Sequence, residues 1–234
     1  MPPELEQIKE RYARRSASDT ASRYDPVSLA VMMSVQDRDR ALLRWVRECG
    51  IAPLASRSLL EIGCGSGGNL LEFLRFGFQP ENLTGNELLA ERAQAARRKL
   101  PAGLRILPGD AMDLQLPAES FDVVLQSTVF TSILDRDFQN ALASRMWTWV
   151  KPGGGVLWYD FIYNNPRNPD VAGVPLRRIR ELFPQGTLRY WRLTLAPPLA
   201  RRIVRVHPAL YHAANCFPFL RTHVMCWIRK AGPQ

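Results

Sequence analysis

From residue 57 onward, short apolar runs alternate with longer amphipathic ones. The runs at 58–62, 82–86, 104–108, 121–126 and 155–161 have the length and composition of buried strands. Between them, 68–76, 88–99 and 137–149 read as helices. Such alternation predicts an α/β fold, a parallel sheet with helices on both faces. Residues 174–183 read as a short helix, 188–195 as a sixth strand and 222–229 as a seventh. The stretch 197–220 is longer than a simple connection needs. There Leu199, Ile203, Val206 and Leu210 can share one helical face, with Arg201, Arg202 and Arg205 turned elsewhere, and Pro208 shortens any helix. Ahead of the alternation, 3–49 is mostly helical in pattern, with Leu42, Trp45 and Val46 at helical spacing.

The first strand runs into Glu61-Ile62-Gly63-Cys64-Gly65-Ser66-Gly67-Gly68-Asn69-Leu70. Glycines at a sharp strand-to-helix turn let a ligand approach bare backbone. The helix that follows aims its free N–H groups at that ligand. The spacing Gly63-x-Gly65-x-x-Gly68 matches a dinucleotide loop. An acid just before the glycines, Glu61, suits a cationic ligand and would repel a pyrophosphate. Glu87 ends the second strand, twenty residues past Gly67, where an acid accepts from ribose hydroxyls. The third strand ends in Gly109-Asp110-Ala111-Met112, which places Asp110 for an adenine amino group and Met112 for the ring face. Cys64 sits in the loop as a small filler rather than a nucleophile, and 153–155 is read as a turn into the fifth strand.

In that order, Glu61-x-Gly63-x-Gly65-x-Gly67, Glu87, Asp110-Ala111-Met112, Phe121–Ser127 and Lys151-Pro152-Gly153-Gly154 resemble the class I S-adenosylmethionine (SAM) methyltransferases, of the kind called type 11. The resemblance covers about residues 55–165. The segments 128–135 and 158–169 look like bacterial members associated with surface-polysaccharide synthesis. What the resemblance implies is a single Rossmann-like domain over 1–234, whose seven-stranded sheet is mostly parallel, with the antiparallel last strand inserted between the fifth and sixth. Residues 1–50 would form a helical cap, with Tyr12 and Tyr24 beside the pocket; 55–165 would form the SAM core and 166–234 a basic acceptor side. The implied cofactor is SAM, leaving as S-adenosylhomocysteine, held by Glu61, Gly63, Cys64, Gly65, Gly67, Asn69, Glu87, Leu88, Asp110, Ala111, Met112, Gln126 and Ser127.

Charge adds a second theme. Residues 166–234 hold 12 Lys and Arg against Asp170 and Glu181, while the rest of the chain is nearly balanced, for a net +9. A one-sided basic surface attracts anions: nucleic acid, phosphosugars or acidic headgroups. A basic amphipathic segment such as 199–207 suits acidic lipids or a lipid-linked glycan, a substrate wall, or ordinary packing. Cys49, Cys64, Cys216 and Cys226 form no metal-binding pair, and His207, His212 and His223 form no ligand cluster with them, so no metal is expected. The first residues have no apolar core and no run of about 18 apolar residues occurs, so a cytoplasmic location without a membrane span is expected.

The expected chemistry is direct displacement at the SAM methyl group, where positioning alone can supply roughly 7–11 kcal/mol. Ligands in open α/β sheets lie beyond the carboxyl ends of the strands. That puts Gln126, Ser127 and Thr128, then Asp160, Tyr163, Asn164 and Arg167, near the transferred group. A hydroxyl acceptor needs a base; Asp160 is the first candidate, ahead of His207 and His212. Tyr163 and Asn164 would orient a polyhydroxy acceptor, and Arg167 would meet a phosphate. Methyltransferases acting on bases often carry Asn/Asp-Pro-Pro-Tyr/Phe after strand four; Gln126-Ser127-Thr128-Val129-Phe130 lacks it, which counts against nucleic acid. The leading expectation is thus O-methylation of a small molecule or glycan. RNA or another anionic macromolecule, and a non-catalytic SAM-binding regulator, are the alternatives.

Overall fold

In the run Leu59-Leu60-Glu61-Ile62 every side chain is buried, and it becomes the central strand β1 (Leu59–Ile62). The computed structural model describes residues 3–17, 25, 27–165 and 168–232. Two helices precede β1: α1 (Pro3–Ala17) and α2 (Leu29–Glu48). After it come α3 (Gly68–Phe76), β2 (Leu83–Glu87), α4 (Ala90–Lys99), β3 (Arg105–Pro108), β4 (Phe121–Ser127), α5 (Arg136–Trp149) and β5 (Val150–Phe161). The chain closes with α6 (Leu176–Leu182), β6 (Thr187–Leu195), α7 (Pro197–Ile203), α8 (Ala209–Asn215) and β7 (Arg221–Arg229).

The sheet order is β3-β2-β1-β4-β5-β7-β6. Strands β1 to β5 are parallel, and β7 lies antiparallel between β5 and β6, as the resemblance implies. Side-chain alternation sends Leu60, Ile62, Val124, Val156 and Trp158 to one face, under α5 and α6. Leu59, Val123, Leu125, Leu157 and Tyr159 go to the other face, against α2, α3 and α4. Trp45 of α2 fills that second layer, 5.4 Å from Trp227.

Two predicted elements take other forms. The expected turn at 153–155 is part of β5, which already starts at Val150. Gly153 has φ +81 and donates to the carbonyls of Lys230 and Ala231, while a Cβ on Gly155 would lie 2.6 Å from Ile228 O. The glycines there allow β7 to approach closely. The 199–207 helix stops at Ile203, so the expected apolar face divides. Leu199 and Ile203 pack inward, whereas Val206 and Leu210 face solvent.

At the amino edge of the sheet, Asp122 gathers donors from the two residues before β1 and from the start of β5. It accepts from Arg57 at 2.9 Å, Ser58 Oγ at 2.7 Å and Lys151 Nζ at 2.8 Å. Burial opposes its charge, but Lys151, Ser58 and Arg57 together hold its carboxyl well below the usual range. Asp122→Asn is expected to lower unfolding stability by about 2 kcal/mol, read as a shifted denaturant midpoint with unchanged slope. Because the folded pKa is depressed, the full difference is present above the ordinary value of 3.8 and shrinks as pH falls below it.

Candidate functional site

The turn after β1 is built from left-handed backbone. Gly63, Gly65 and Gly67 have φ of +67, +56 and +83. A Cβ on Gly63 would sit 2.6 Å from Val129 Cγ2, and one on Gly67 2.6 Å from Leu100 Cδ1. Gly65 faces open space. Cys64 between them points the other way: its thiol is buried near Gly85, and burial pushes its pKa up. Its side chain is core filler, and only its backbone is left for a ligand.

Glu87, at the carboxyl end of β2, reaches across to this loop. Its Oε2 accepts from Gly65 N at 2.8 Å and its Oε1 from Leu89 N at 2.9 Å. Asn86 beside it donates to the carbonyls of Leu107 and Gly109, which fixes the chain before Asp110. Asp110 accepts from Met112 N at 2.9 Å. Met112 itself packs at the border of the core cluster rather than over the cleft.

Glu61 is the unusual group. It is fully buried; its Oε1 accepts from Asn69 Nδ2 at 2.6 Å, and its Oε2 has no partner among the described residues. Burial pushes its pKa up to about 7, against the opposing pull of Asn69 and Arg38. A buried carboxylate oxygen without a donor is costly. Beside bare glycines, it fits a ligand that brings a cation or donor, and so it fits the ammonium and sulfonium of SAM.

Two clefts open at the carboxyl edge of the sheet. One has an open volume of about 540 Å³, part of it continuous with solvent, and is bordered by Gly63, Glu87, Leu88, Asp110, Ala111 and Val129. Leu5, Ile8 and Tyr12 of α1 line it as well. Helix α1 is fastened by a buried pair: Arg11 donates to Glu4 at 2.9 Å and to Ser132 O at 3.0 Å, while Glu4 accepts from Leu134 N at 2.8 Å. Tyr12 thus borders the cleft as expected, and Tyr24 lies outside the described residues. The second cleft, about 310 Å³, lies on the α2 side and is lined by Arg38, Leu42, Asn69, Ser127, Tyr159 and Met225, among others. Arg38 stands 5.7 Å over the Tyr159 ring, and His223 stacks on that ring at 5.3 Å. Burial pushes His223 down to about 4, so the ring is neutral near pH 7. Sequence reasoning passed over Arg38, Tyr159 and His223 as site residues. Arg38 sits in an Asp-Arg-Asp-Arg run that reads as a solvated face, and His223 reaches the site only through the β5–β7 pairing.

The ends of β4 and β5 differ from expectation. Gln126 has no exposed surface, and both ends of its amide serve the chain: Oε1 accepts from Val129 N and Nε2 donates to Tyr159 O. Thr128 adopts φ +59, a strained conformation for a β-branched residue. Asp160 also has no exposed surface; it accepts from Thr131 N at 3.3 Å and Phe161 N at 3.1 Å, and burial pushes its pKa up to about 7. A proton acceptor must come within reach of its proton, and Asp160 lies beneath the 130–132 turn. Tyr163 is exposed and accepts from Arg192, and Asn164 accepts from Gly173 N within its own loop. Arg167 lies outside the described residues. His207 and His212 are exposed on the β6–β7 connection. Among the described residues, no cluster of three or more His, Cys, Asp or Glu could hold a metal.

Comparison with known proteins agrees with this geometry. Residues 60–158 match the family described as a methyltransferase domain. Over 161 residues, 67% of this chain and 58% of the relative, the chain is 30% identical to phthiotriol/phenolphthiotriol dimycocerosates methyltransferase 1 of Mycobacterium ulcerans. Over 110 residues, 47% of this chain and 39% of the relative, it is 34% identical to the fatty-acid O-methyltransferase of Mycolicibacterium smegmatis. The chain therefore spans between about two fifths and three fifths of these relatives' lengths. The crystal structure of geranyl diphosphate C-methyltransferase from Streptomyces coelicolor, in complex with Mg2+, geranyl diphosphate and S-adenosylhomocysteine, shares the fold. The TM-score is 0.59 at 15% identity, covering 83% of this chain and 78% of that one. An association with surface-polysaccharide synthesis finds no support in these relatives.

Proposed function

We propose that this chain, whose residues 60–158 belong to the class I SAM-dependent methyltransferases, moves a methyl group from SAM to a hydroxyl of an apolar, lipid-type small molecule. The observation that carries the reading is the unpartnered, buried Oε2 of Glu61 beside the glycine turn, with Glu87 on the next strand. A ligand joining a cation to a ribose meets both. SAM, when bound, supplies a methyl carbon already made electrophilic by its sulfonium. The residues of the chain then have binding and orienting work. Glu61 balances the cationic end, and Glu87 accepts from the ribose hydroxyls. Asp110 meets the adenine amino group, and Leu5, Ile8 and Tyr12 keep water off the ring.

The apolar side chains Leu42, Phe73, Leu157 and Met225 of the second cleft support an apolar acceptor. So do the dimycocerosate and fatty-acid names of the relatives. The fatty-acid enzyme supports oxygen as the methylated atom. Asp160 acts here as a positioning residue that holds the 130–132 turn, of which Ser132 lines the cofactor cleft; as the O–CH3 bond forms and the S–CH3 bond breaks, the hydroxyl's proton leaves to solvent water.

Titration calorimetry with SAM, S-adenosylhomocysteine and NADH tests the cofactor. Binding of both sulfur nucleosides and not of NADH is expected, and the reverse would overturn the reading. A screen of hydroxylated lipids and sugars by mass spectrometry, for the gain of one methylene, tests the acceptor. Methylation of the sugars alone would overturn the lipid assignment. Asp160→Asn is expected to raise the KM for SAM while keeping kcat within about tenfold. A loss of about a hundredfold or more in kcat, the size of a general-base effect, would return Asp160 to the proton-accepting role.

A further inference from the structure

Because β7 runs antiparallel to both neighbours, β6 is parallel to β5. The connection 196–220 between β6 and β7 therefore crosses the carboxyl edge of the sheet, the edge that carries the glycine turn and the ends of β4 and β5. Its helices are firmly seated. Ala200 and Tyr211 pack with Ala30 and Met33 of α2, and the buried Asp37 accepts from Tyr211 Oη at 2.6 Å and Asn215 Nδ2 at 2.8 Å.

Four large apolar side chains of this well-built connection are exposed. Val206 is 78% exposed, Phe219 70%, Phe217 52% and Leu210 42%. Isolated apolar side chains at a surface are ordinary, but these four fall within fourteen consecutive residues, and the two phenylalanine rings lie 5.6 Å apart. Arg201, Arg202 and Arg205 flank them and form no salt bridge among the described residues. The chain has no acidic residue from 182 to 234. Exposed aliphatic and aromatic groups beside unpaired cations complement a surface that is apolar below and anionic above. RNA would use the arginines and the aromatic rings, but it would gain nothing from Val206 and Leu210.

We propose that the α7–α8 connection is a docking surface for anionic phospholipid. Its apolar side chains enter the headgroup level, its arginines meet the phosphates, and the carboxyl edge opens toward acceptors dissolved in the bilayer. The purpose assigned to this surface rests on the lipid-acceptor reading above, whereas the docking does not.

Flotation of the full chain with vesicles of mixed phosphatidylglycerol and phosphatidylcholine, and of phosphatidylcholine alone, tests it. Partition onto the anionic vesicles that weakens as salt is added is expected, with little on the neutral ones. The triple variant R201Q/R202Q/R205Q is expected to lose on the order of a hundredfold in partition, at about fivefold per removed cation, and F217S/F219S about tenfold. Both variants should bind SAM with wild-type affinity by calorimetry, which shows that they are folded. Equal flotation of wild type and both variants, no partition onto anionic vesicles, or binding of an RNA oligonucleotide with vesicles ignored would each overturn the proposal. Vesicle binding without SAM binding would leave docking intact and sink the proposed function instead; SAM binding without vesicle binding does the opposite.

Discussion

Glu61→Gln is expected to weaken SAM by about ten- to a hundredfold and at the same time to raise the Tm of the ligand-free protein. Both effects come from one carboxylate held in the wrong place for stability. Burial raises its pKa from 4.5 to about 7, so the folded chain holds that proton more tightly than the unfolded chain does. The cost of Glu61 is absent below about pH 4.5, grows as pH rises and is complete above about pH 7, where it reaches about 3 kcal/mol. The stability gained by the variant should widen over the same interval. Ligand binding carries the opposite sign. A bound cation favours the carboxylate, so the affinity of the wild-type chain for SAM should rise with pH up to about 7 and then level off. The variant should show a flat profile. Calorimetry across this range, with differential scanning alongside, decides the matter; pH-independent wild-type binding would remove Glu61 from the cation's side of the site.

Glu87→Ala is expected to cost about ten- to a hundredfold in the affinity for SAM, the size of a lost hydrogen bond to a charged group. S-Adenosylhomocysteine should lose the same factor, because the ribose is common to both nucleosides. The substitution also frees Gly65 N and Leu89 N, two donors that Glu87 now satisfies, so a lower Tm should accompany it. Glu87→Gln keeps one acceptor oxygen and should fall between the two. An unchanged dissociation constant for the alanine variant would show that the ribose lies elsewhere.

The parts of the site that are legible in the sequence are those whose chemistry is local. Gly63, Gly65 and Gly67 are needed where the backbone is left-handed, and Glu87 ends a strand that pairs directly with β1. Strands β1, β4 and β5 could be read because each carries an apolar run buried along most of its length, whereas β3 and β6 are largely open to solvent. What was not legible depends on residues that meet only in the folded chain. Arg11 carries no sign that it will join Glu4 in holding a helix against Ser132, 121 positions away. Asp160 looks like a loop acid until the 130–132 turn folds over it. Val206 and Leu210 fit a helical face on paper, but the helix stops at Ile203 and leaves them exposed.

The placement of β7 between β5 and β6 also bears on how the chain is made. Among the described residues, β6 has no hydrogen-bonded neighbour in the sheet other than β7, which follows it after 25 residues. During synthesis, therefore, β6 leaves the ribosome with nothing to pair with, and β5 presents a bare edge until residues 221–229 emerge. Unpaired edges of this kind are where partly made chains stick to one another. A stop codon anywhere in 196–220 would remove one strand from the gene product but leave two strand positions empty in the sheet.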